Sequence, residues 1–174
     1  MAAVSPQTQM LSQPKHAAGQ LLPCSCELVA VLVADDHRRL VAARPIAKGT
    51  HVFPVTGRET TVPTRYSVQV GKGLHIDQDD AQEEFDLIRR YFWRYLDHSC
   101  EPSAMIRDRQ VIAIRDIAEG EGVTFDYNTT EYDMATPFRC YCGSALCVGT
   151  VRGAKHLTKT QRARLEKWLP DYLR

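Results

Sequence analysis

The chain has 174 residues, of which 44% are hydrophobic and 25% charged, and this is typical of one globular domain with its own core. Its longest apolar run, LVAVLV at 28–33, is too short to cross a bilayer, and no secretory signal is visible in the polar first 23 residues. These features argue against a membrane or secreted protein. They predict an intracellular chain, nuclear or cytoplasmic, in which disulfides are disfavoured.

The net charge of +1 hides an uneven distribution along the chain. Residues 75–138 contain 15 acidic and 6 basic residues, whereas residues 139–174 contain 8 basic and 2 acidic ones. An acidic middle could attract a basic peptide, although an ordinary solvated surface explains it equally well.

Several short strands are predicted in the first half of the chain. Residues 1–22 contain turn-forming residues and little periodicity, which indicates a mobile leader. The segment CELVAVLVA (26–34) is typical of a buried strand, and RLVAARPIAKGTHVF (39–53) of a strand, a turn and a strand. Alternating apolar residues in RYSVQVGKGLHID (65–77), with a glycine turn at 71–73, predict a further hairpin.

A first helix is predicted over 80–96, followed by short strands over 104–127 that an Asp-Arg-Gln turn divides. The apolar residues of this helix recur at helical spacing: Phe85, Ile88, Phe92 and Leu96. Many short strands with few helices predict a mainly β fold and not a doubly wound sheet. No G-x-G-x-x-G follows a strand, so a Rossmann nucleotide site is unsupported.

An amphipathic helix is predicted to close the chain over 158–174. Thr158 and Gln161 match a capping box at its start. Its apolar face consists of four residues: Leu165, Trp168, Leu169 and Leu173.

Three cysteines lie close together in RCYCGSALC at 139–147, and this clustering indicates a metal site. Zinc takes four ligands in a tetrahedron, of which one tight loop supplies three. These three are Cys140, Cys142 and Cys147. The fourth ligand must come from elsewhere, and the candidates are Cys100, His156 and the pair Cys24 and Cys26. A zinc ion would tie the C-terminal segment to whichever segment carries the fourth ligand.

Two further stretches contain chemically reactive residues. RYLDHSCEPSA at 94–104 places a histidine, a serine and a cysteine in a row. A catalytic cysteine–histidine pair is one interpretation, but adjacent residues of a strand point apart and are poorly placed for proton transfer. In GEGVTFDYN at 120–128, Phe125 and Tyr127 are two residues apart, so a strand would direct both rings into one cavity.

Together these three stretches resemble SET-domain protein lysine methyltransferases. RYLDHSCEPS is similar to the family's R-[FY]-[IL]-N-H-S-C-x-P-N motif, and GEGVTFDYN is similar to its G-E-E-L-T-F-D-Y segment. The cysteine loop resembles the family's post-SET zinc module, and LVAARPIAKGTHVF resembles its early hairpin. The motifs stand in family order, and the match covers about residues 38–157.

The resemblance implies a SET-like fold of small β-sheets around a pseudoknot, closed by a zinc-stapled C-terminal segment and a terminal helix. The DHSC and FDY segments would cross at the active site. The implied domains are a SET-like catalytic domain over 23–137, a post-SET zinc segment over 138–157 and the helix over 158–174. Cys100 would be the fourth ligand of the Zn²⁺ ion, which would lay the tail over the entrance for a substrate lysine.

The implied reaction is methyl transfer from S-adenosylmethionine to a lysine amine, which must be neutral to attack. Tyr127 would orient the amine, and Phe125 would occupy a Phe/Tyr switch position that favours more than one methylation round. Binding of the methyl donor is assigned to Arg39, Arg94, Tyr95, Asp97 and His98. The expected partner is a protein substrate bearing a lysine, for instance on a basic tail, and no membrane or direct nucleic-acid partner is expected.

Three positions depart from the family pattern. HRRL stands where the family has a G-x-G that touches the cofactor, so Arg38 and Arg39 could crowd that contact. Asp97 replaces an asparagine, and a carboxylate accepts hydrogen bonds without donating them. Ser103 replaces a second asparagine, which predicts the loss of part of a turn-stabilising hydrogen bond.

These departures leave two alternatives open. The SET fold could bind the methyl donor weakly and serve as an interaction module, or it could be redirected to a small-molecule substrate or another reaction. A zinc-stapled DNA-binding module is disfavoured, because the basic residues of 139–174 lie on one short helix without a second basic face.

Overall fold

The computed structural model of the chain describes residues 19–35, 37–79 and 83–174, which form five small sheets and no single large one. The strands in these ranges are β1 (Gln20–Pro23), β2 (Val29–Ala34), β3 (His37–Ala42), β4 (His51–Pro54), β5 (Arg58–Thr60), β6 (Val68–Gly71), β7 (Leu74–Asp77), β8 (Asp97–His98), β9 (Ala104–Arg107), β10 (Gln110–Ala113), β11 (Thr124–Phe125), β12 (Phe138–Arg139) and β13 (Thr150–Val151). The helices are α1 (Glu84–Arg90) and α2 (Lys159–Leu165), with 3₁₀ turns at Phe92–Tyr95, Tyr127–Thr129, Ala154–His156, Glu166–Trp168 and Asp171–Leu173. The predicted mainly β fold is confirmed.

The first sheet is antiparallel with the order β1-β2-β3. Val29 and Val31 of β2 are buried in the main core, as the apolar run at 26–34 predicts. Residues 1–18 of the predicted leader lie outside the described residues. The leader's predicted end at residue 22 is wrong, because Leu22 belongs to β1 and pairs with Val31 of β2.

Two three-stranded antiparallel sheets follow, with the orders β4-β10-β9 and β5-β7-β6. The predicted Asp-Arg-Gln turn joins β9 to β10. Its Asp108 and Arg109 adopt positive φ angles of 49° and 62°, the left-handed conformation that a tight two-residue hairpin turn requires. The glycine turn predicted at 71–73 likewise joins β6 to β7.

The helix predicted over 80–96 is shorter than expected. Residues 80–82 lie outside the described residues, and α1 ends at Arg90 before the 3₁₀ turn Phe92–Tyr95. Ile88 and Phe92 are buried as predicted, but Phe85 is 70% exposed. Since α1 packs against the core through Leu87 and Ile88, Phe85 lies to one side of its buried face.

The closing helix predicted over 158–174 is also interrupted. Its capping box is confirmed: the Thr158 side chain accepts from the N–H of Gln161, whose side chain accepts from the N–H of Thr158. However, α2 ends at Leu165, and Leu169 is extended because the following Pro170 disfavours a helical residue before it. The predicted apolar face still forms a small cluster with Ala154: Leu165, Trp168, Leu169 and Leu173.

Strands β8 and β11 are two residues long and run parallel, with Asp97 opposite Thr124 and His98 opposite Phe125. This pairing brings the DHSC segment against the FDY segment, although the sequence separates them by more than twenty residues. Within the described ranges, no helix combines the length and the apolar character needed to cross a membrane.

Candidate active site and metal centre

The crossing of β8 and β11 is held by hydrogen bonds beyond the strand pairing itself. The N–H of Ser99 donates to the carbonyl of Phe125 at 3.1 Å, and the N–H of Tyr127 donates to Nδ1 of His98 at 3.2 Å. Phe125 and Leu96 are buried on either side of the crossing. The backbone of both motifs is therefore fixed where their side chains meet.

Tyr127 lies at the centre of an aromatic group. Its ring centroid is 4.6 Å from that of Phe125, 5.4 Å from that of His98 and 5.9 Å from that of Phe138. Its hydroxyl donates to the carbonyl of Leu96 at 2.5 Å. Burial raises the pKa of Tyr127 well above its usual range, so the hydroxyl stays protonated at physiological pH.

A cavity of about 60 Å³ opens over this group. Its apolar wall is formed by Trp93, Leu96, Phe125, Tyr127 and Met134, and Arg65, Tyr66 and Arg94 contribute to the same lining. The lining combines aromatic and polar side chains, which suits an amine on an alkyl chain. Phe125 and Tyr127 therefore share one cavity, as the sequence predicts, although Tyr127 begins a 3₁₀ turn and does not belong to a strand.

Two side chains of the predicted donor-binding group lie on the 3₁₀ turn before β8. Arg94 stacks on the ring of Tyr66, with its Cζ atom 4.0 Å from the ring centroid. Tyr95 is half-buried, and burial raises the pKa of its hydroxyl. Both residues therefore lie on the segment that leads directly into the crossing.

The hairpin β2–β3 approaches the crossing from the other side. Nε2 of His37 lies 3.3 Å from Oδ2 of Asp97, so β3 is tied to β8. Arg38 forms an ion pair with Glu84 of α1, which anchors the first of the two arginines that stand where glycines were expected. Arg39 is exposed on β3, and its role in donor binding stays a prediction.

The chemistry of these side chains fits the polar end of S-adenosylmethionine, which carries an ammonium and a carboxylate. Asp97 is a partly exposed carboxylate that can accept from the ammonium, although it cannot donate as asparagine would. Arg39 is an exposed guanidinium that can pair with the carboxylate. Although both positions depart from the family pattern, Asp97 and Arg39 carry charges opposite to the ammonium and the carboxylate of the donor.

The structure brings the four predicted zinc ligands together. The Sγ atoms of Cys100, Cys140, Cys142 and Cys147 all lie within 4.8 Å of one another. A tetrahedral zinc with Zn–S bonds of about 2.3 Å places its sulfur atoms about 3.8 Å apart, so the cluster can hold zinc with small adjustments.

The environment of the four thiols is uneven. Burial raises the pKa of Cys100 beyond its usual range and that of Cys140 to about 11. Burial also disfavours ionisation of Cys142, but hydrogen bonds from the backbone of Cys100 and Ser144 outweigh it and lower its pKa to about 7. Of Cys100, Cys140 and Cys142, Cys142 therefore ionises most readily.

His98 connects the cysteine cluster to the active site. Burial lowers the pKa of His98 to about 4, so the imidazole is neutral at physiological pH. Because Nδ1 accepts from the N–H of Tyr127, the ring proton resides on Nε2, which lies 3.2 Å from Sγ of Cys100. One side chain therefore contacts both the FDY segment and a predicted zinc ligand.

The other candidates for the fourth ligand are engaged elsewhere. Nε2 of His156 lies 2.8 Å from Oδ1 of Asp133. The thiol of Cys24 contacts the carbonyl of Val29, and that of Cys26 contacts the carbonyl of Val52. Both cysteines lie between β1 and β2 and belong to neither strand.

Ser103 forms hydrogen bonds of its own in the turn. This residue is fully buried, and its hydroxyl lies 3.1 Å from the carbonyl of Gly122 and 2.9 Å from the N–H of Thr124. The hydroxyl donates to the former and accepts from the latter. Ser103 therefore joins the start of β9 to Gly122 and to Thr124 of β11, and the comparison with asparagine stays a prediction.

Sequence reasoning missed the polar part of the cavity lining. Glu131 is buried there, where Oε1 accepts from the N–H of Gln69 at 2.7 Å and Oε2 lies 3.6 Å from Nε2 of His75. Arg65 and Tyr66 precede β6 and line the cavity, although the sequence shows them only as the start of a hairpin. A loop of ordinary composition carries no periodic signal that could have indicated this position.

Known proteins resemble the chain at both the sequence and the fold level. A family model for the SET domain matches residues 37–128, which is more than half of the chain. Methyltransferase flvH of Aspergillus flavus is 33% identical over 115 residues, which cover 64% of this chain and 57% of that protein. The histone-lysine N-methyltransferase of Schizosaccharomyces pombe that is specific for H3 lysine-36 is 36% identical over 118 residues, which cover 63% of this chain and 13% of that protein.

The chain thus spans little more than half of the first relative and a small part of the second. Among solved structures, KRYPTONITE in complex with mCHG DNA and SAH superposes with a TM-score of 0.53 at 19% identity, covering 68% of this chain and 27% of that one. This likeness confirms the predicted architecture of small sheets around a crossing.

Proposed function

This chain belongs to the SET-domain family, and we propose that it transfers a methyl group from S-adenosylmethionine to the side-chain amine of a protein lysine. The observation that carries the proposal is the aromatic cavity at the β8–β11 crossing, with the Tyr127 hydroxyl fixed on the carbonyl of Leu96. The methyl donor, when bound, supplies an electrophilic methyl group on a positively charged sulfur.

Tyr127 orients the amine in this proposal. Because its proton is directed at Leu96, its oxygen lone pairs remain to accept an N–H of the amine. The nitrogen lone pair is then left to face the methyl group. The apolar wall of the cavity disfavours the charged ammonium and so favours the neutral amine that can attack. Most of the rate would come from this alignment and from fixed dipoles.

Phe125 sets how many methyl groups are added. It is buried beside Tyr127 and offers no hydroxyl that would hold a water molecule or restrict the amine. Once the methylated nitrogen has lost a proton to solvent, it can therefore turn and react again with a second methyl donor. We expect products with more than one methyl group.

The donor site in this proposal consists of Arg39, Tyr95, Asp97 and His98, whereas Arg94 lines the cavity above Tyr127. The complementary charges of Asp97 and Arg39 would bind the ammonium and the carboxylate of the donor, and the main chain of β8 would form the wall beside it. Zinc held by the four cysteines would fix the segment after Arg139 next to this wall.

The relative named for lysine 36 of histone H3 supports a protein lysine as the acceptor. The decisive test is transfer of labelled methyl from S-adenosylmethionine to lysine-containing histones and peptides by the zinc-loaded protein. Calorimetric titration with S-adenosylmethionine and S-adenosylhomocysteine should show binding of both. A folded, zinc-replete protein that binds neither would reject the proposal and favour an interaction module.

A further inference from the structure

Two guanidinium groups line the cavity above Tyr127. Arg65 and Arg94 both contribute to its wall, and both lie over the ring of Tyr66. The distances from Cζ to the ring centroid are 5.7 Å for Arg65 and 4.0 Å for Arg94. Positive charge is therefore concentrated near the path by which an amine would reach Tyr127.

Neither guanidinium has a carboxylate within ion-pair distance in the ranges that the structure describes. Elsewhere, Arg109 pairs with Glu59 at 2.6 Å and Arg44 pairs with Glu27 at 2.9 Å. In addition, Nε of Arg94 is buried and has no hydrogen-bond partner among the described residues. A planar guanidinium with free donors is the side chain best suited to bind a carboxylate.

The carboxylate that lines the cavity is already engaged. Glu131 is buried, accepts from the N–H of Gln69 and lies beside His75, and within the described ranges it forms no ion pair with Arg65 or Arg94. The two guanidinium groups over the ring of Tyr66 are therefore left to bind an anionic group of a ligand.

Building on the proposed function, we propose that the substrate carries a carboxylate next to the amine and that Arg65 and Arg94 bind this carboxylate. The carboxylate belongs either to an acidic residue beside the target lysine or to a small amine-bearing acid. In both cases the amine enters the cavity toward Tyr127. Arg65 is then a specificity-determining residue, and a substrate lysine in a purely basic tail is disfavoured.

The inner end of the cavity differs from the surface around Tyr66. Burial is the main cause of the raised pKa of Tyr127, and the charges of Asp97 and Glu131 raise it further, whereas the charge of Arg65 acts in the opposite direction. Once the substrate carboxylate has paired with the arginines, the amine lies among apolar side chains that disfavour its charged form.

The test compares short lysine peptides that differ only in acidic, neutral or basic residues on either side of the lysine. Both kcat/KM and peptide affinity in the presence of S-adenosylhomocysteine are measured. The wild-type protein should prefer acidic over basic flanks by about tenfold, because like charges at an interface are strongly disfavoured. Arg65→Glu should reverse this order. An increase in its kcat/KM for basic peptides would also show that the variant is folded.

Lys48→Glu is the matched control, since it makes the same change of charge at an exposed residue away from the cavity lining. This variant should retain the wild-type order of peptides. Free amino acids that carry an amine and a carboxylate are tested in parallel, and methylation of these in preference to every peptide would assign the carboxylate to a small molecule.

The inference is overturned if the wild-type protein methylates basic peptides as well as acidic ones or better, and if Arg65→Glu does not change this order. The proposed function stands in that case. If no amine is methylated, the proposed function fails, and peptide affinity decides the inference. In that case, acidic peptides that bind the wild-type protein no more tightly than basic ones overturn it.

Discussion

The β8–β11 crossing and the cysteine cluster lie side by side, but different forces hold them in place. The crossing is surrounded by the main core, with Val123, Phe125 and Leu96 buried and the backbone groups of both motifs hydrogen-bonded. The cluster has only a small apolar group around Val151, and two of its four thiols are half-buried.

The crossing and the cysteine cluster therefore depend on different interactions for their stability. Core packing fixes the aromatic cavity without any ligand, whereas four crowded thiols give a stable arrangement once a metal replaces their protons. His98 contacts both regions, through Tyr127 on one side and Cys100 on the other. Loss of zinc should therefore disturb the tail first and the cavity second.

The largest effect is expected from Cys142→Ser, which removes one ligand of the metal. Zinc and methyl transfer should be lost together, because structural zinc sites contribute folding free energy directly. Zinc content by elemental analysis and methyl transfer are measured on the same sample. Cys26→Ser is the control, since this thiol donates to the carbonyl of Val52 and lies outside the cysteine cluster. A Cys142→Ser protein that still binds one zinc per chain would show that the ligand set is wrong.

Tyr127→Phe should impair methyl transfer and leave the metal centre intact. We expect kcat to fall by about 10²–10³-fold, as for loss of a positioned hydrogen-bonding group in an active site. Zinc content and melting temperature should stay close to wild type. Tyr141→Phe removes a hydroxyl from a tyrosine that is 81% exposed, and it should not alter kcat. Full activity in Tyr127→Phe would remove this hydroxyl from the mechanism.

Phe125→Tyr should change the product more than the rate. A hydroxyl beside Tyr127 would hold a water molecule or the amine itself and limit rotation after the first transfer. Mass spectrometry should therefore show a shift toward monomethyl-lysine. The same substitution at Phe85, which is 70% exposed, should leave the product distribution unchanged. An unshifted spectrum for Phe125→Tyr would reject the assignment of this position.

The smallest effect is expected at the start of α2. Thr158→Ala removes the capping box and should lower the free energy of unfolding by about 1 kcal/mol. Denaturant unfolding of the zinc-loaded protein measures this loss. Thr160→Ala, at an exposed position within α2, should be close to neutral. Equal stability of the two variants would mean that the cap contributes nothing in the folded chain.

The short-range features of the molecule could be predicted from the sequence. The β9–β10 turn, the capping box and the three clustered cysteines are set by neighbouring residues, so local rules predict them. The contact of Cys100 with the cysteine loop followed only from the family resemblance, since spacing cannot reveal a partner some forty residues away.

The long-range and context-dependent features could not be predicted. Helical spacing suggests that Phe85 is buried, but α1 ends too early for a full apolar stripe to form. The contact between His37 and Asp97, and the position of Arg65 at the cavity, depend on how separate sheets meet. No pattern in the sequence records which loops face one another.

The parallel pairing of β8 with β11 has a consequence for the order in which the chain folds. Two residues on each side provide few hydrogen bonds, yet their pairing must close a loop that contains the whole β9–β10 hairpin. Closing a loop costs entropy before its contacts stabilise it, whereas the hairpin forms from neighbours in sequence. We therefore expect the hairpin to form early and the crossing late, so that Tyr127 reaches its place only when most of the chain is already folded.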